Sequence, residues 1–185
     1  MPIFENVVAS LERAQELDRP ADRLAAGLDV VLKPSIRKVL SGAWLGHPVH
    51  PLLVTAPIGA WVSASLLDLT KGNQVAARKL VGFGLVFATG AVVTGVSDWR
   101  GTVGRARRVG LVHMIVNSLG LIVYTASWRA RAGGRQSRGM VLALVGALLL
   151  SGGGYLGGHL TYALGANVDV GEAAADDLAE TLLVS

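Results

Sequence analysis

Apolar residues along this chain gather into four long runs, separated by short polar connectors. The first covers 51–69 (PLLVTAPIGAWVSASLLDL), the second 80–97 (LVGFGLVFATGAVVTGVS), the third 110–128 and the fourth 140–158. Each is near the ~20 residues that a helix needs to cross a hydrocarbon core. The connectors TKGNQVAARK, DWRGTVGRARRV and RARAGGRQSRG are polar and carry arginine. Connectors this short make successive helices antiparallel neighbours. The pattern predicts an all-α membrane protein, an up-down four-helix transmembrane bundle over 46–165.

Outside the runs the pattern changes. Residues 1–45 place Val7, Val8, Leu11, Ala14 and Leu17 at helical spacing with charges between them, and DRLAAGLDVVLKPSIRKVL continues similarly until Pro34 breaks it. This predicts an amphipathic N-terminal helical segment of one or two helices, lying on the membrane surface or against the bundle. It has no apolar core of the kind that marks a secretory signal. Residues 166–185 form an acidic tail with Asp169, Glu172, Asp176, Asp177 and Glu180 and no cation. No function is assigned to it.

Composition agrees with the pattern. Of the 185 residues 51% are hydrophobic and only 16% charged, against about a quarter charged in a soluble domain. The net charge of +4 comes with arginines beside the apolar runs, which suits membrane flanks better than a nucleic-acid surface. There is no cysteine, so disulfides, thiolate metal sites and cysteine-ligated clusters within this chain are excluded. No P-loop, nucleophile elbow or His-Glu-x-x-His helix is present, which leaves enzyme status open and leans against an enzyme.

The spans alternate in direction, so their ends sort onto two sides. His47 and His50 open the first span, Asp98 and Trp99 close the second, His113 begins the third, and Tyr155 and His159 end the fourth. All four histidines and Asp98 thus fall on the side of the N-terminal segment. Ionisable groups at membrane depth are rare and usually face a bundle interior. His47, His50, Asp98, His113 and His159 are therefore the candidate cofactor or metal ligands. Trp44, Thr94, Trp99, Asn117 and Tyr155 are the candidates to surround them. Proline after each of His47 and His50 predicts a stiff, non-helical presentation of both rings. The remaining tryptophans read as belt or packing residues, Asp68 as interfacial, and Pro57 as a kink in the first span. Gly153, Gly154, Gly157 and Gly158 have the spacing of a helix-packing face.

Taken together, LSGAWLGHPVHPLLVTAPIGAW, TGVSDW, GLVHMIVNSLGLIVYTASW and GGYLGGHLTYALGANV resemble the bacterial membrane proteins grouped as domain of unknown function 2231. The resemblance covers about residues 40–168, and its most specific part is His-Pro-x-His-Pro followed by Pro-Ile-Gly. The N-terminal helix and the Trp-Leu-Gly lead-in look like the actinobacterial branch, in a stand-alone form without the C-terminal Rieske domain of some relatives. The resemblance implies a four-span bundle in the bacterial plasma membrane and supplies no established activity.

Three functions follow as expectations. The histidine face could hold haem b or a single metal ion, His113 pairing with His50, His47 or His159, in a module for electron transfer; a Rieske-type or other electron-transfer protein is then the partner by analogy. Alternatively the chain is a non-catalytic membrane scaffold or partner-binding subunit in which these residues form a structural polar plug. A transporter or proton pathway is weaker, because acids lie only near the span ends and one copy has four spans. Homo-oligomers fit any of these. Lys33, Arg37, Lys38, Arg100, Arg105, Arg107 and Arg108 on the N-terminal side match seven basic residues on the other, so loop charge gives no orientation. The expectation is that both termini share one side, the cytoplasmic one.

Overall fold

The computed structural model describes residues 2–166, with Pro2 and Ile3 described by backbone alone. The acidic tail therefore lies outside the described residues, save Ala166. Among the described residues every regular element is helical: α1 (Pro2–Arg13), α2 (Asp18–Asp29), α3 (Pro34–Ser41), α4 (Val49–Asp68), α5 (Gln74–Arg100), α6 (Gly104–Ala132) and α7 (Gln136–Tyr162). Four of them, α4 to α7, are long and apolar enough to cross a membrane. Only 22–33% of their most apolar windows is buried by the rest of the chain. Side chains such as Leu52, Val86, Ile122 and Leu148 point outward, which a water-soluble fold would not sustain over four helices.

The helices outrun the apolar runs because the polar connectors are themselves largely helical. Gln, Ala, Arg and Lys are strong helix formers, and α5, α6 and α7 absorb most of the connectors, leaving 69–73, 101–103 and 133–135 between helices. In the N-terminal segment Pro34 starts α3 rather than only ending what precedes it. At a first helical position its missing N–H would be unpaired in any case.

The turn before α4 differs from its sequence reading. Gly42 and Gly46 take left-handed φ values of 88° and 70° and bracket the single turn Ala43–Leu45. A Cβ on Gly42 would run into the carbonyl of His47, so the chain folds back here only with glycine. His47 lies exposed in the following turn, but His50 is already helical, in the first turn of α4. The expected non-helical setting of both rings holds for His47 alone. Pro51, at the third position of α4, removes an N–H that a first turn leaves unbonded, which outweighs the ordinary preference of the residue before proline. The helix also continues through Pro57 to Asp68.

The chain divides into two compact units. The first holds the described residues of Met1–His50, Val93–His113 and Tyr155–Ser185. Its core is Val8, Val109 and Leu156, flanked by Leu11, Val112 and Leu160, so α1 packs its apolar stripe on α6 and α7. The second holds Pro51–Val92 and Met114–Gly154. Here Trp61, Ala64, Ala77, Val81, Ala88, Tyr124 and Ala143 form the core. Trp61 stacks on Tyr124 with ring centroids 4.0 Å apart, and its Nε1–H donates to the Val81 carbonyl at 3.2 Å.

Candidate functional site

All five candidate ligands lie in the first unit. In the first unit Thr94 Oγ1 and His50 Nδ1 stand 3.4 Å apart, the long limit of a hydrogen bond. The His50 ring lies over Gly95, where a Cβ would be 2.7 Å from Cε1. The His113 ring lies over Gly157, where the same distance is 2.9 Å. His159 Nε2–H donates to Glu12 at 2.8 Å, tying α7 to α1. Tyr155 packs its ring 5.2 Å from that of Phe4. Trp99 is buried and donates to the Arg107 carbonyl at 2.9 Å, closing the turn from α5 to α6. Trp44 is 69% exposed, its indole N–H satisfied by the Val39 carbonyl. Among the described residues no group of three or more His, Asp or Glu is placed to hold a metal ion. His47, His50, Asp98, His113 and His159 thus include no such group of three.

Glycine opposite a ring or polar side chain recurs in the second unit. A Cβ on Gly153 would stand 2.5 Å from Asn117, and one on Gly146 would stand 2.7 Å from Tyr124. Gly82 faces Trp128 and Gly84 faces Trp61 in the same way. Small residues allow such approach between helices in lipid. Of the four glycines singled out on α7, Gly153 and Gly157 serve this purpose, whereas Gly154 and Gly158 face open space.

Asp98 has its own surroundings. It is 9% exposed and Ser97 is 2% exposed. Together with Gly101, and with Pro34, Arg37, Lys38 and Ser41 of α3, they line an open pocket of about 320 Å³. Three buried polar atoms at this pocket lack a hydrogen-bond partner among the described residues: Asp98 Oδ2, Ser97 Oγ and Arg37 Nε. Leaving such a group unsatisfied costs about 1–3 kcal/mol, more when it is charged.

Two groups of polar contacts escape a reading of the sequence. In the first unit the arginines around the α5–α6 turn each meet an acid of α1 or α2. Arg100 pairs with Asp29 (2.6 Å), Arg105 with Glu12 (3.2 Å), Arg107 with Asp22 (2.7 Å) and Arg108 with Asp18 (2.6 Å). The two hydrogen bonds from Arg108 to Asp18, and those from Arg100 to Asp29, are bidentate. The hydrogen bond from Arg108, aided by its charge and partly offset by burial, holds the Asp18 carboxyl below its ordinary 3.8. Arg100 does the same for Asp29. In the second unit Arg131 and Asp68 form a buried pair, their side chains 0% and 7% exposed. Arg131 Nη1 donates to Asp68 at 2.7 Å and Gln136 Nε2 donates to it at 3.1 Å. Ser127 donates to the Gly139 carbonyl at 2.6 Å. Asp68, expected at the interface, is thus a buried acceptor. The only sequence signal for the ion pairs is the presence of both signs of charge, since their partners are 63 or more residues apart.

Four apolar spanning helices with few polar residues inside define a polytopic helical membrane protein. Residues 46–170 match the family model described as predicted membrane protein (DUF2231), and the chain belongs to that family. No curated protein and no solved structure matches it.

Proposed function

We propose that this protein is a non-catalytic membrane scaffold, a partner-binding subunit whose histidines and Asn117 lock helices together rather than hold a cofactor. The observation that supports this reading is the seating of the His50 and His113 rings on Gly95 and Gly157. A ring that fills the space of a missing Cβ is held closely against that helix. The His159–Glu12 contact has the same character, joining two helices directly.

An absorption spectrum and elemental analysis on the same detergent-purified sample test the proposal. The scaffold reading expects no Soret band and no stoichiometric metal, even from cells well supplied with haem. His50→Ala and His113→Ala should each lower the unfolding midpoint by about 2–8 °C, from a loss of about 1–2 kcal/mol in a chain of this size. A haem spectrum or near-stoichiometric metal that disappears in His113→Ala would instead establish the electron-transfer module, with His113 as a ligand.

A further inference from the structure

The pocket between α3 and the end of α5 is independent of that reading, because none of its lining residues belongs to the histidine contacts. Its walls carry both signs of charge. Asp98 and Ser97 come from α5, and Arg37, Lys38 and Ser41 come from α3. Asp98 Oδ2, Arg37 Nε and Ser97 Oγ are buried with no partner among the described residues. A simple anion would satisfy the guanidinium but meet the carboxylate; a simple cation would have the converse difficulty. One ligand that satisfies both is a compact zwitterion, with a primary ammonium for Asp98 and an oxyanion for Arg37. The volume of about 320 Å³ is at the small end of ligand pockets, which run from about 300 to 1,000 Å³.

Location indicates the source. The apolar run of α5 ends at Ser97, so the pocket stands where a spanning helix leaves the hydrocarbon and lipid headgroups begin. Beside it α3 exposes Ile36 and Val39, and Trp44 and Leu45 follow, also exposed. This apolar surface suits acyl chains, as in helices that lie at a membrane interface.

We propose that this pocket binds the headgroup of an aminophospholipid, a phosphate joined by a short linker to a primary ammonium. The phosphate accepts from Arg37, and the ammonium donates to Asp98 and Ser97. A trimethylammonium group has no N–H to donate and is bulkier, and a glycerol headgroup carries no cation. Phosphatidylethanolamine is therefore preferred over phosphatidylcholine and phosphatidylglycerol.

The test uses the full chain, purified in detergent, delipidated and titrated with dihexanoyl forms of these three lipids while thermal unfolding is followed. The ethanolamine lipid should raise the midpoint at concentrations where the other two do not. Asp98→Asn and Arg37→Gln should each weaken its apparent Kd by about tenfold or more, the loss of one charge-assisted contact. If Asp98→Asn does not fold, Arg37→Gln and Ser97→Ala decide the matter. Equal shifts with phosphatidylglycerol or phosphatidylcholine, or unchanged binding by the variants, would overturn the proposal. Free phosphoethanolamine acting as strongly as the lipid would uphold the headgroup chemistry and overturn the lipid as its source.

Discussion

Gly157 and Gly154 lie on one helix and differ in what faces them. A Cβ on Gly157 would stand 2.9 Å from His113, whereas one on Gly154 meets nothing within 4 Å. Replacement at Gly157 must displace the half-buried His113 ring, and overpacking of this kind costs about 1–3 kcal/mol. Gly154→Ala adds only helix propensity, worth up to about 1 kcal/mol in the favourable direction. Gly157→Val should therefore lower the unfolding midpoint while Gly154→Ala leaves it unchanged or raises it; a drop of equal size in both would refute the cradle. The buried pair Arg131–Asp68 makes a second prediction at this scale. Removing one partner strands a buried charge, with a cost of about 3–5 kcal/mol. Removing both leaves no such charge. Asp68→Leu should thus be far more damaging than Asp68→Leu combined with Arg131→Met, and a thermal double-mutant cycle reads the coupling directly.

Helices α1 and α2 are held to the start of α6 and the ends of α5 and α7 by a small apolar core and a row of ion pairs. The pairs are mostly exposed, and an exposed pair contributes little on its own. Their number makes the attachment sensitive to salt and acid. Asp18 and Asp29 have folded pKa values depressed below 3.8. The stability they confer is complete at pH values well above 3.8 and is lost as pH falls through their folded values. Limited proteolysis within 14–33 should accelerate below about pH 3.8 and in molar salt, before the spanning helices unfold. Cleavage rates flat across both conditions would show that the apolar contacts alone hold the segment. At this scale the sequence is uneven in what it discloses. Hydropathy makes the four spans plain, because lipid requires an unbroken apolar run. Helical spacing finds α1 and α2, although it reads Val7 like Val8, and only Val8 is buried. The partner of Arg108 is not legible, since any of several acids could pair with it and tertiary packing selects Asp18. The candidate site fares likewise. Which side of the spans holds His50, His113 and Asp98 follows from alternation, but whether they meet depends on rotations about each helix axis, and nearly uniform apolar faces leave those undetermined.

For the whole molecule, the relevant solvent is lipid. Val86, Ile122 and Leu148 lie on three different spanning helices and are 72%, 63% and 67% exposed. In water such surface would drive aggregation, and in a bilayer it is simply solvated. Loop charge does not select an orientation. The acids that pair with Arg100, Arg105, Arg107 and Arg108 do not change that, because the rule counts lysine and arginine and gives acids little weight. The absence of native cysteine makes topology directly measurable, since any introduced thiol is the sole reactive one. With Val86→Cys, Ile122→Cys and Leu148→Cys, a membrane-impermeant maleimide should give no labelling in intact or opened membranes, and full labelling once detergent and denaturant are added. Lys71→Cys and Arg135→Cys lie after one and three spans, so they should react from the same side. Thr102→Cys, after two spans, should react from the other, and an N-terminal segment on the cytoplasmic side requires that this other side be the cytoplasm. Aqueous labelling at 86, 122 and 148 would mean that these helices cover their apolar faces with protein. The exposed surface would then be an interface between subunits and not a lipid-facing wall.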